Sequence, residues 1–294
     1  MVIENGLLRV EIAAKGAELK SLTRQADAYQ YLWNGDPKYW GKTSPILFPI
    51  VGGLKDDTYW YGGKSYHLSR HGFARDLHFR ESQISDTSGI FTLADDSETR
   101  QVYPFAFQLQ IRYELIEATL TCTYEVINPD AQRALLFSIG GHPAFATPID
   151  GDLAYDYYYL EFPEDDMLQC HRVEKNLVTD SINIIPLDNH RLPLSHELFY
   201  ADALVLKTLR SKGIALRNTK NDRSVYFSRE NFPYFGIWAA KDANFVCLEP
   251  WYGIADAVSH TGTPRGKRGH PGIGTRSALG TQLVDHLWIG FARC

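Results

Sequence analysis

Sulphur is scarce in this chain of 294 residues, which holds four cysteines and two methionines. Cys122, Cys170, Cys247 and Cys294 lie far apart, with no CxxC spacing. That pattern argues against a zinc site and a disulfide framework, and it reads as reduced, mostly buried thiols. Long apolar runs are missing too. No window approaches the ~18 apolar residues of a membrane-spanning helix. The stretch from Met1 to Leu8 carries Glu4 and Asn5 and no apolar core, so no secretory signal is expected and a cytoplasmic location is. An excess of basic residues is also absent: 30 Lys and Arg face 35 Asp and Glu, for a net charge of −5. Such a balance gives no general affinity for nucleic acid or an anionic membrane. Sustained helical periodicity is missing, and no break in composition marks a linker. Residues 1–294 are therefore expected to form one domain.

What is present is a period of two. In Phe105 to Leu115 large apolar residues fill every odd position, and Ala106, Gln108, Gln110, Arg112 and Glu114 fill the even ones. Leu120, Cys122, Tyr124 and Val126 continue the alternation after a Glu117-Ala118 turn, which predicts an antiparallel hairpin with one buried face. Tyr59-Trp60-Tyr61 and Ser65 to Leu68 flank Gly62-Gly63, a second hairpin signal. Further strands are expected over Leu7 to Ala13, Glu18 to Thr23, Leu77 to Ser82, Gly89 to Ala94, Leu135 to Ile139, Ala203 to Leu206, Gly213 to Arg217, Ser224 to Ser228, Phe245 to Leu248 and Leu287 to Phe291. A short helix is expected over Ser195 to Phe199, capped by Ser195. Many short strands with little helix predict an all-β fold, a large antiparallel β-sandwich. Aromatic residues make up 13% of the chain, which suits strands and equally suits a site that stacks sugar rings.

Three residues stand out chemically. Glu249 lies in Phe245-Val246-Cys247-Leu248-Glu249-Pro250-Trp251, an apolar run that strips a carboxylate of its hydration. Alternation places Phe245, Cys247 and Glu249 on one strand face, with Glu249 at the strand end because Pro250 cannot donate to a ladder. Such a carboxylate is either functional or a structural partner of an arginine or a loop. His142, in Gly140-Gly141-His142-Pro143, follows a strand and is constrained by its neighbours. It is placed for proton transfer near neutral pH, or it is a satisfied core histidine. His71 sits in Arg70-His71-Gly72-Phe73-Ala74-Arg75. Its arginines suit an anionic or hydroxyl-rich ligand, or mark a solvated basic turn. His67 and His71 have an HxxxH spacing, but they follow an alternating strand, so helical metal geometry is not expected. Asp202 is another carboxylate entering an apolar run, Ala203 to Leu206. The basic, glycine-rich stretch from His260 to Arg276 reads as an exposed loop. Within it Gly262 to Arg268 has the wrong glycine spacing for a phosphate loop and lacks Ser or Thr after the lysine.

Together these segments resemble the aldose 1-epimerase (galactose mutarotase) family, and within it the LacX-like branch. The resemblance rests on Ser44 to Gly52, Arg70 to Arg75, Gly141 to Phe145, Phe199 to Leu206 and Leu248 to Asp256, which occur in the family's order between about residues 2 and 258. It implies a galactose mutarotase-like sandwich that interconverts α and β anomers of an aldose with no metal, nucleotide or other cofactor. It further implies that Glu249 takes the proton from the C1 hydroxyl and His142 protonates the ring oxygen. His71 and Asp202 match positions that bind substrate hydroxyls. Such a pair works best with Glu249 ionised and His142 protonated. Arg75 is shared with a hexose-6-phosphate branch, where a phosphate contact or a structural role is open to it. One departure is Val51-Gly52-Gly53-Leu54-Lys55, where family members often carry arginine after glycine. Lys55 is then the substitute contact, or the contact is absent. The expected partner is a small-molecule sugar. A free hexose is the first expectation, with a hexose 6-phosphate and a non-catalytic carbohydrate-binding or sensing role as alternatives.

Overall fold

The computed structural model describes residues 1–147, 153–229 and 231–260, and the backbone alone of residues 282–291. The basic stretch after His260, with its loop-like Gly262 to Arg268, falls outside the described residues, as does Cys294.

Two large antiparallel sheets carry the architecture. The first runs, edge to edge, through Arg191–Pro193, Tyr158–Glu161, Gly213–Asn218, Val225–Ser228, Gln282–Phe291, Thr119–Ile127, Gln108–Ile116, Ser88–Ala94 and Arg80–Ser85. The second runs through Leu177–Pro186, Met167–Glu174, Leu204–Leu206, Tyr234–Trp238, Phe245–Tyr252, Ile139–Gly141 and Ile46–Leu47, with Ala144–Ala146 pairing to the side of Phe245–Tyr252. A smaller sheet holds Val2–Glu4, Leu8–Ile12, Leu19–Arg24 and Tyr29–Gln30, and Thr58–Tyr61 pairs with Lys64–His67 as a separate ribbon.

The alternating hairpin pairs as its pattern predicts. Leu109, Ile111, Tyr113 and Leu115 are buried, and each lies opposite a buried residue of Thr119–Ile127. Their apolar face meets the core face of the second sheet. Phe227 of the first sheet packs edge-on to Phe235 of the second at 5.9 Å, a geometry that aromatic quadrupoles favour.

Several expected elements differ. The strand expected from Leu77 begins at Arg80, because Phe79 N–H is taken by the Ala14 carbonyl. The strand expected from Leu135 begins at Ile139. Ser195 precedes a single 3₁₀ turn, His196–Phe199, and its side chain does not cap it. His67 bonds Thr58 on the exposed ribbon, away from the buried His71, so the HxxxH pair does not assemble.

The largest difference concerns Pro250. The strand does not stop there but runs from Phe245 to Tyr252. Leu248 N–H donates to the Pro143 carbonyl, so by alternation the Pro250 nitrogen faces the same side. There the neighbouring strand breaks between Gly141 and Ala144. The missing N–H falls in that gap and removes no ladder bond. Glu249 therefore sits inside a strand that is paired on both sides.

Candidate active site

Register places the site. By alternation Gly236, Trp238, Cys247, Glu249 and Trp251 share the face opposite to that of Phe235, Ile237, Val246 and Leu248. Cys247 lies opposite Trp238, Glu249 opposite Gly236, and Trp251 opposite Tyr234. The row continues from Gly236 to Val205 and on to His171. Glycine is required in this row. A Cβ on Gly236 would lie 2.4 Å from the Trp251 ring, so its absence lets the indole lie flat across the sheet beside Glu249.

His142 enters at the strand break opposite Glu249. Its Nε2 lies 3.2 Å from Glu249 Oε2, with both side chains nearly sealed from solvent, at 8% and 2% exposure. Around His142 stand Trp40 at 4.9 Å, Trp238 at 5.7 Å and His71 at 5.8 Å between ring centres. Trp40 is held from a distance. Buried Glu18 accepts from Thr43 N–H and Oγ1 and from Ser44 N–H, and Trp33 Nε1 donates to the Trp40 carbonyl at 2.8 Å.

His71 is fixed by its backbone. It sits at φ 69°, its N–H donates to the Gly52 carbonyl, and Gly52 N–H points back to its Nδ1 at 3.1 Å. Phe73 and Ala74 N–H groups both donate to the Phe48 carbonyl, which seats the turn on the Ile46–Leu47 strand.

Burial controls the protonation of the pair. It pushes the Glu249 carboxyl up to about 8, while Arg70 and the Trp251 indole pull it back and Asp202 pushes it further. It pushes His142 down to about 3, and the charge of Arg70 adds to that. His71 falls well below the ordinary histidine value, through burial first and then Arg70, His142 and Arg75. In the protein without sugar, desolvation favours a neutral pair, with the single proton on Glu249 and none on His142.

The remaining expected residues divide. Asp202 is half-buried, accepts from Ala203 N–H and lines a cavity of about 360 Å³ with His171, Glu174 and Asn183. Its charge reaches Glu249. Lys55 points elsewhere, its amine bonded to the carbonyls of Val258 and His260. Arg75 donates to the Arg70 carbonyl at 2.8 Å and lies 3.6 Å from Asp76. Lys55 is occupied by the protein itself, whereas Arg75 keeps a buried Nε with no hydrogen-bond partner. The sequence offered Arg70 as a contact for an anionic or hydroxyl-rich ligand or as part of a solvated basic turn; in the structure its charge acts on Glu249, His142 and His71 alike. Its one signal was adjacency to His71. Trp238 was signalled by neither motif nor period, and Trp40 lies outside any strand.

Cys247 brings a thiol into the group. One ligand atom each of His142, Cys247 and Glu249 lies within 4.8 Å of the others. Such a set could hold a soft divalent ion. Metal binding needs the thiolate, however, and burial with Glu249 pushes this thiol well above its ordinary value. Proton transfer is the chemistry the group suits better.

The site is thus a buried carboxyl–imidazole pair ringed by indoles on an antiparallel sandwich. The chain belongs to the aldose 1-epimerase family, whose model matches residues 1–266. It is 29% identical over 265 residues to the chromosomal LacX protein of Lactococcus lactis subsp. lactis, covering 87% of this chain and 88% of that one. Its fold is similar to that of a galactose mutarotase related enzyme from Lactobacillus acidophilus, with a TM-score of 0.90, 32% identity and coverage of 100% and 97%. It is also similar to a galactose mutarotase-like protein from Lactobacillus casei, with a TM-score of 0.88, 30% identity and coverage of 99% of each chain.

Proposed function

We propose that this protein is an aldose 1-epimerase acting on a free hexose, with Glu249 as base and His142 as acid. The observation that carries this reading is the 3.2 Å approach of His142 Nε2 to Glu249 Oε2 in a sealed site. The C1 hydroxyl and the ring oxygen share one carbon, so a carboxylate and an imidazolium this close reach both. Glu249 removes the hydroxyl proton as His142 protonates the ring oxygen, and the C1–O5 bond breaks. No full charge builds up on the sugar. The open aldehyde turns about C1–C2, and the protons return on closure. The neutral pair favoured by burial is the form left after ring opening, poised for closure. Hydrogen bonds from the sugar to the carboxylate stabilise the ionised form that opens the ring. Half-buried Trp40 and Trp238 offer faces for the apolar side of a pyranose.

The occupied state of Lys55, with Arg75 tied through Nη2 to the Arg70 carbonyl, favours a neutral sugar over a 6-phosphate, because a phosphate dianion is held by several free, often bidentate, donors. Polarimetry on freshly dissolved α-glucose, α-galactose and their 6-phosphates tests this. We expect catalysed mutarotation of a free sugar and a kcat/KM no higher for its phosphate. A strong phosphate preference lost in Arg75→Ala would overturn the free-hexose reading, and no catalysis with any sugar would remove the enzyme reading.

The pair works while it holds one proton, which sets the pH profile. Above about 8 the last proton leaves Glu249, and below about 3 His142 takes up a second. Enzymatic kcat/KM, corrected for spontaneous mutarotation, is therefore expected to be flat through neutrality and to fall as pH rises past about 8. A profile still rising at pH well above that value would show that the carboxyl has no such role.

A further inference from the structure

The Trp251 indole carries a donor that the sugar-free protein leaves open. Its Nε1 is buried and has no hydrogen-bond partner of ordinary geometry. Buried polar atoms in folded proteins are nearly all paired, so an open one costs stability unless it serves a second state. An indole N–H can donate there and cannot accept.

The ring is not free to turn toward another partner. Trp251 is 6% exposed and packs with Leu47, Val51, Val178, Val205 and Ile254. Two glycines, one on each neighbouring strand, admit it. A Cβ on Gly140 would lie 2.8 Å from Trp251 Cδ1, and one on Gly236 would lie 3.1 Å from Cε2 and 2.4 Å from Cζ2. Nε1 is bonded to Cδ1 and Cε2, so the N–H edge of the ring crosses the Phe245–Tyr252 strand from Gly140 to Gly236. Gly236 is the register partner of Glu249. The open donor is thereby carried to the level of the Glu249 carboxyl, on the same strand face.

The other groups about Glu249 do not fill this place. His142 stands at Oε2 for the proton exchange. Cys247, on the same face, has a thiol that burial and Glu249 keep protonated. Arg70 acts by charge, with its guanidinium bonded to Asn176 Oδ1 and directed at His71. Asp202 opposes ionisation of the carboxyl, whereas the Trp251 indole favours it.

We propose that the Trp251 N–H is the positioning donor of the base, closing on the Glu249 carboxylate as the bound sugar draws the pair into its ionised form. The proposal rests on the mutarotase reading for the reaction it serves, while the contact itself stands apart from it. A hydrogen bond to a carboxylate is about twice as strong as one between neutral groups. The donor is therefore idle while the proton sits on Glu249 and engaged once it leaves. It raises the share of bound enzyme ready to take the C1 proton, so it acts on kcat and leaves KM to the groups that touch the sugar.

The test replaces Trp251 with benzothienylalanine, which keeps the bicyclic shape and has sulphur in place of the N–H. With α-glucose and α-galactose as probes, kcat should fall about 10- to 100-fold, the size of a lost hydrogen bond to a charged group. KM should change by less than about threefold on the same account, and the melting temperature should be no lower. The alkaline fall of kcat/KM should move to higher pH, because removing a donor to the carboxylate raises its pKa further. A ring that only fills space would be replaced without loss, so wild-type kcat or an unmoved pH profile overturns the proposal. A lower melting temperature with a raised KM would give the ring a packing role alone and overturns it as well.

A second measurement needs no activity. The indole nitrogen-15 resonance of Trp251, identified by its loss in Trp251→Phe, should move downfield in the sugar-free protein as pH rises through about 8, where Glu249 ionises. It should stay still in Glu249→Gln. A resonance that does not move, or that moves equally in Glu249→Gln, refutes the contact. The expected move in a protein that mutarotates no sugar would support the contact while removing the mutarotase reading.

Discussion

Glu249→Gln should reduce enzymatic mutarotation by about 10²–10⁴-fold, the range for loss of a general base. Glutamine keeps the shape of the side chain and cannot take the C1 proton. The fold should survive, because Glu249 is a buried group whose ionisation is opposed by its surroundings. A neutral amide in its place removes that burden, so the melting temperature should hold or rise, most clearly at alkaline pH. The sign follows from linkage. A carboxyl raised to about 8 in the folded state stabilises the fold below its ordinary value near 4.5, and that contribution is lost as pH rises toward 8. His142→Asn should show a comparable rate loss. The double variant should be little worse than either single one, since the two groups act as a unit. Near-wild-type rates in Glu249→Gln, with unchanged melting, would assign the base to another residue.

Gly72→Ala should produce the largest loss of stability. Gly72 has φ +70°, and a Cβ there would lie 2.3 Å from the Phe48 carbonyl oxygen. The left-handed conformation alone costs about 1–2 kcal/mol for an L-residue. Forcing the overlap apart adds roughly 1–3 kcal/mol, as overpacking does. The melting temperature should fall by roughly 5–15 °C at the ~2–4 °C per kcal/mol of large domains. Because the same turn carries Arg70 and His71, the affinity for sugar should fall with it. An unchanged melting temperature would mean that the turn relaxes freely, and that His71 is not fixed as described.

Legibility in the sequence followed burial. Leu109 to Leu115 could be read because one face of their strand is buried and the other is not. The hairpin of Met167–Glu174 and Leu177–Pro186 could not. Leu177–Pro186 is an edge strand, exposed over much of its length, with Ile182 and Ile184 about half exposed. A strand that buries neither face has no reason to alternate. The Phe245–Tyr252 strand poses the opposite problem, since burial on both faces erases the period and leaves Glu249 conspicuous as the one carboxylate. His142, His71 and Glu249 were legible as odd residues in tight contexts, and the structure brings all three into one site. The contacts that hold the His71 turn were not legible, since they depend on Gly52 and Asn176, which are 19 and 106 residues from the groups they bind.

Strand order has a consequence for the way the chain is made. Gln282–Phe291 lies in the interior of the nine-stranded sheet, between Thr119–Ile127 and Val225–Ser228. It is the last of those nine strands to be synthesised. Until it arrives, both neighbours present open backbone edges. Pairing across that separation in sequence is slow, and unpaired edges invite association with other chains. Completion of the sheet therefore waits on the last of its strands, so the two open edges must either be paired quickly once it arrives or be shielded until then.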